Sequence, residues 1–147
     1  MGSNTFYNIN NNVIMNKTKS NTESYIDSII WRAPKKNHDK LVELCKQYES
    51  MFKNNGVLRH EIFQLNSSED LPEFTNLAKV ISANLQHEEV WIEMFHYKDK
   101  NHCYEIRAKL TNDKNCQDGY QQFIDLITPG SKVINGEFIR HNDIGVE

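Results

Sequence analysis

The chain has 147 residues, 38% of them apolar and 25% charged, with 17 Lys and Arg against 20 Asp and Glu. That length suits a single domain able to bury a core without staples. A net charge of −3 gives no basic footprint, so nucleic acid is excluded as a main partner; no apolar run nears the ~20 residues of a membrane helix.

Residues 1–21 are rich in Asn, Thr, Ser and Lys and read as a flexible leader; residues 22–147 form one domain. A first strand covers Glu23 to Arg32 and is stopped by Pro34. An amphipathic helix follows from about Asn37 to Asn55, with Leu41, Leu44, Cys45, Tyr48, Met51 and Phe52 at helical spacing. Gly56 stands where a left-handed cap is wanted. A second strand spans Val57 to Leu65, and Ser67, Ser68 and Asp70 mark a loop. A short helix is predicted from Pro72 to Ser82, with Phe74, Leu77, Ala78 and Ile81 turned inward. The third strand is Glu89 to Tyr97. Asp99 caps a helix carrying Cys103, Ile106, Arg107 and Leu110 on one side, although Arg107 and Lys109 read as solvated charges. A last helix, Gln117 to Leu126, buries Tyr120, Phe123, Ile124 and Ile127; Thr128-Pro129-Gly130-Ser131 turns into a final strand, Gly136 to His141. The order β-α-β-β-α-β predicts an α+β, ferredoxin-like subunit with an antiparallel sheet and extra helices.

Side chains alternate along a strand, so each strand offers two sets. Ile26, Ile30, Val90, Ile92 and Met94 make an aliphatic set suited to helix packing. Tyr25, Asp27, Ile29, Trp31, Trp91, Glu93, Phe95 and Tyr97 make an aromatic set with two carboxylates. If helices cover the aliphatic face, the aromatic one would be exposed beyond what monomers tolerate. Two such faces packed together predict a homodimer whose interface holds an aromatic, acidic cavity. On the second strand, Val57, Arg59, Glu61 and Phe63 would share that face while Leu58 and Ile62 meet the helices. Arg59 is then the expected partner of Asp27, Glu61 or Glu93, since buried carboxylates need a donor or a cation.

Cys45, Cys103 and Cys116 are odd in number and widely spaced, which predicts reduced thiols and a cytoplasmic location. His38, His60, His87, His96, His102 and His141 show no metal-ligand spacing, so neither metal nor cofactor is expected. Only His141 is placed near the cavity. No glycine-rich phosphate loop exists.

Tyr25-Ile26-Asp27, Pro34, Asp39, Phe52-Lys53, Gly56-Val57-Leu58-Arg59, Phe74, Glu88-Glu89-Val90, Tyr97 and Gly136-Glu137-Phe138 resemble the YbaA-like family. That family comprises small uncharacterised bacterial proteins of the dimeric α/β-barrel superfamily. The resemblance runs from about residue 24 to 140 and implies a ferredoxin-like homodimer without an assigned activity. The chain departs from the family pattern at Ser28, Ile62, Glu93 and Asn112-Asp113-Lys114-Asn115.

Two functional readings follow. One is a dimer that binds or turns over a small hydrophobic molecule. Asp27 or Glu93 would be the base and Arg59 the stabiliser of developing negative charge; Tyr25, Trp31, Glu61, Trp91, Phe95, Tyr97 and His141 would line the site. The other is a non-catalytic structural or regulatory dimer whose aromatic face is packed interface. No motif selects between them.

Overall fold

The computed structural model describes residues 23–66 and 69–146; the predicted leader and the loop serines Ser67 and Ser68 lie outside these. Four antiparallel strands form one sheet in the order β2-β3-β1-β4, with β1 at Tyr25–Pro34, β2 at Arg59–Gln64, β3 at Glu88–Tyr97 and β4 at Ile134–Ile139. The two most apolar strands, β1 and β3, are central, as expected. Strand β1 runs through Pro34 rather than stopping at Arg32: its edge beyond Ile30 has no β4 partner, so the missing N–H of Pro34 costs nothing there.

Helix α1 spans His38–Asn54. It ends where Gly56, at φ 109°, lets the Gly56 and Val57 amides reach the carbonyls of Lys53 and Phe52. The predicted helix Pro72–Ser82 shrinks to a single turn, α2, at Leu77–Val80. Two local features explain the loss. Glu73 takes a positive φ of 66°, and the Asn76 side chain accepts the Ala78 amide, starting the helix only there. Phe74, expected inward, is left exposed. Helix α3, Lys100–Thr111, is capped by Asp99 as anticipated, its carboxylate accepting the His102 amide. Helix α4, Lys114–Leu126, begins earlier than expected because Asp113 caps it through the Cys116 amide.

The helices cover the opposite face from the one the sequence suggested. Register pairs Tyr25 with Tyr97, Asp27 with Phe95, Ile29 with Glu93 and Trp31 with Trp91, so the aromatic set does share one face. That face carries the core. Trp31, Ala33 and Trp91 pack with Leu41 of α1 and Ile127, flanked by Phe123; Tyr25 and Tyr97 pack with Cys103 and Ile106 of α3. Trp31 stacks on Trp91 at 5.4 Å and meets the edge of Phe123 at 5.2 Å. Such aromatic pairs are worth about 0.5–1.5 kcal/mol beyond burial. The aliphatic set, with Ile26, Ile30, Ile92 and Met94, turns away from the three long helices. It joins Phe63 of β2 and Ile134 and Phe138 of β4, which are 48%, 41% and 57% exposed.

Candidate functional site

Strand β2 falls into the same alternation. His60 and Ile62 share the helix side with Phe95 and Glu93, while Arg59, Glu61 and Phe63 lie on the open face. Arg59 therefore cannot serve Asp27 or Glu93. It pairs instead with Glu23 at 3.1 Å and Glu61 at 3.4 Å, and Glu61 also binds His96 Nε2 at 2.7 Å. The expectation of an Asp27–Arg59–Glu93 constellation is corrected on this point: two of its members face one way and the third faces the other. His141 lies beyond the end of β4 and is exposed.

The two carboxylates of the helix face have separate partners. Asp27 accepts Arg107 Nη2 from α3 at 2.7 Å and Asn135 Nδ2 from β4 at 2.5 Å. Arg107 also reaches Glu137 at 3.1 Å, and Tyr104 lies under its guanidinium at 5.2 Å. Burial, and then the hydrogen bond with Glu137, push the Tyr25 phenol up to about 12. This is a closed ion-pair network in which Arg107, read from sequence as solvated, is the cation. The signal for it was its place beside Cys103 and Ile106 on one helix side.

Glu93 is different. It is buried, and its two oxygens accept Trp31 Nε1 at 3.1 Å and meet His60 Nε2 at 3.0 Å. His60 is itself held by stacking on Phe95 at 4.6 Å and by the edge of Phe52 at 5.3 Å. His60 escapes sequence reasoning because alternation groups it with Leu58 and Ile62, away from the face expected to hold the cavity.

Glu93 lines a cavity of about 270 Å³ between the sheet and helices α1 and α4. Apart from it the walls are mainly apolar: Ile29, Leu44, Met51, Phe52, Phe95, Phe123 and Val133, with Tyr48, Tyr120 and two thiols, Cys45 and Cys116. A closely packed core leaves few voids larger than a water. Gly119 keeps the Tyr48 ring in place, since a Cβ there would stand 2.5 Å from Tyr48 Cζ. A second cavity of about 160 Å³ adjoins it across Cys45 and is lined by Trp31, His60, Ile62 and Trp91 among others. The Trp91 indole N–H is buried without an acceptor among the described residues. A larger groove of about 530 Å³ lies between α1 and α4, where the charged or polar Asp39, Lys40, Glu43, Gln47, Gln122 and Asp125 surround Leu44 and Leu126.

Burial favours the protonated form of all three thiols. Burial, and then the charge of Glu93, push Cys45 up to about 12; burial pushes Cys103 up to about 11. Among the described residues no group of His, Cys, Asp and Glu could hold a metal ion. No helix among them is long and apolar enough to cross a membrane.

The fold and its helix-side pocket define an α+β subunit of the ferredoxin-like class. Residues 24–125 match the family described as "Protein of unknown function (DUF1428)", and the chain belongs to that family. Among solved structures it is similar to a NIPSNAP family protein from Agrobacterium tumefaciens at 14% identity and a TM-score of 0.55, covering 82% of this chain and 88% of that one. A NIPSNAP-like domain protein from Burkholderia xenovorans is similar at 11% identity and a TM-score of 0.55, covering 82% and 87%. A further Agrobacterium tumefaciens NIPSNAP family protein of unknown function gives 10% identity and a TM-score of 0.53, covering 81% and 89%. At such identities the likeness concerns the fold alone. Comparison with curated proteins finds no similar sequence.

Proposed function

We propose that the protein binds a small, largely apolar molecule in the cavity beneath helices α1 and α4, and that it does so as a homodimer joined through the open face of the sheet. One observation carries the ligand reading: an apolar cavity of about 270 Å³ with a single buried carboxylate at its floor. The volume is near the lower end of the ~300–1,000 Å³ of ligand pockets, and a void of about 150 Å³ already admits benzene. A ligand of roughly a dozen heavy atoms fits that range. Unlike the interface cavity expected from sequence, this one lies within a single subunit.

The dimer reading rests on the other face. Ile26, Ile30, Ile92, Met94, Phe63, Ile134 and Phe138 give it a continuous apolar surface, flanked by the alternating charges Arg59 and Glu61. Pairing two copies of this face about a two-fold axis would bury it. The YbaA-like resemblance supports the same plan. The three free thiols support a reducing, cytoplasmic setting. A non-catalytic dimer without a ligand is the alternative, and the same open face favours it.

Calorimetric titration of the protein with phenethylamine, 2-phenylethanol and propylbenzene tests the ligand reading. Saturable one-to-one binding of any of them per chain, lost when Cys116→Phe fills the cavity, is the expected result. No binding by any of the three refutes it and leaves the dimer scaffold.

A further inference from the structure

We infer that the cavity selects an organic ammonium ion: a protonated amine on an apolar body. This rests on the ligand reading above and narrows it to a chemical class. The first observation is a buried carboxylate whose ion-pair contact among the described residues is a histidine, His60 at 3.0 Å, rather than a lysine or arginine. Glu93 is 7% exposed, and its contacts are the neutral indole N–H of Trp31 and the imidazole of His60. Among the described residues no lysine or arginine lines the cavity, and Arg59, the nearest candidate by sequence, is on the far side of the sheet. Arg107 is committed to Asp27 and Glu137. A buried carboxylate is strongly favoured by a cation beside it, and none of the described lysines and arginines stands there.

The second observation is independent of the first. Five aromatic rings line the same cavity: Tyr48, Phe52, Phe95, Phe123 and, at its exposed rim, Tyr120. Aromatic faces are negative, and cages of such rings are a standard means of holding ammonium groups. A carboxylate at the floor with aromatic walls offers an ammonium head both an ion pair and cation–π contacts, while the aliphatic walls take up its apolar body. An anionic ligand would meet Glu93 as a like charge. A neutral hydrocarbon would leave both features unused.

The same three molecules decide the matter, because they are close in size and differ at one end. Phenethylamine carries the ammonium, 2-phenylethanol a neutral hydroxyl, and propylbenzene a methyl. Titrated near neutral pH at low salt, phenethylamine is expected to bind at least about tenfold tighter than the other two. Glu93→Gln, a nearly isosteric change, is expected to remove the preference for phenethylamine over the two neutral probes. The wild-type comparison stands by itself should the variant fail to fold. Equal affinities for the three in the wild type overturn the inference and leave the ligand reading intact. Absence of binding by all three overturns both.

Discussion

Removing Arg107 isolates the part of the helix face that holds charge for structural reasons. In Arg107→Leu, Asp27 keeps only the Asn135 amide, with its carboxylate still beneath α3. Breaking one side of a buried pair costs about 3–5 kcal/mol when no water reaches the survivor. Here the Arg107 side chain is 37% exposed, so solvent screens part of the loss and about 2–3 kcal/mol is the better figure. For a domain of this size that is a fall in Tm of about 6–10 °C. Asp27→Asn should cost less, about 1–2 kcal/mol, because Arg107 retains Glu137. The double variant should then be better than the sum of the singles by about 1–2 kcal/mol, as the stranded charge no longer exists. Urea denaturation of the four proteins closes the cycle. A loss below about 0.5 kcal/mol for Arg107→Leu, or strictly additive costs, would refute the assignment of Asp27 to a structural ion pair.

The remaining predictions concern the open face and an acid-sensitive contact. Ile30→Lys with Met94→Lys should convert a particle of two chains into one of 17.2 kDa in sedimentation experiments while the fold persists; a wild type that is already monomeric refutes the dimer. Burial raises Glu88, but hydrogen bonds from Thr128, the Asn84 amide and Arg32 outweigh it and hold the carboxyl below its ordinary value. Its stabilisation is therefore complete above the usual glutamate range near ~4.3 and lost as pH falls through the lower folded value. Glu88→Gln should lower the urea midpoint at neutral pH, and the gap should close in acid; a gap independent of pH counts against the reading.

Much of the architecture was legible in the sequence because it rests on local rules. Alternation placed the aromatic residues of β1 and β3 on one face, and helical spacing set the apolar stripe of α1. Which face the helices would cover was not legible, since both faces are apolar and alternation alone carries no sign. The aliphatic set looks the better surface for helices, which would leave Asp27 and Glu93 at an interface, whereas the fold buries them with partners from elsewhere. Arg107 lies 80 residues from Asp27, and His60 lies 33 from Glu93. Those pairings follow from the packing of α3 and the register of β2, which no pattern within one strand reveals. The short α2 was missed for a different reason: a positive φ at Glu73 is a choice of the loop that its residue type does not announce.

The stacked indoles have a practical consequence. The chain contains two tryptophans: Trp31 donates to Glu93 of the proposed site, and Trp91 stacks on Trp31 in the adjoining cavity, its N–H without an acceptor among the described residues. Their emission therefore originates next to the cavity and nowhere else in the molecule. Any occupant that draws on Glu93 perturbs the polarity around one indole and, through the stack, the other. The protein thus carries its own optical reporter of occupancy, free of any added dye, and the neutral and cationic probes should be told apart by the sign of the spectral shift as well as by heat.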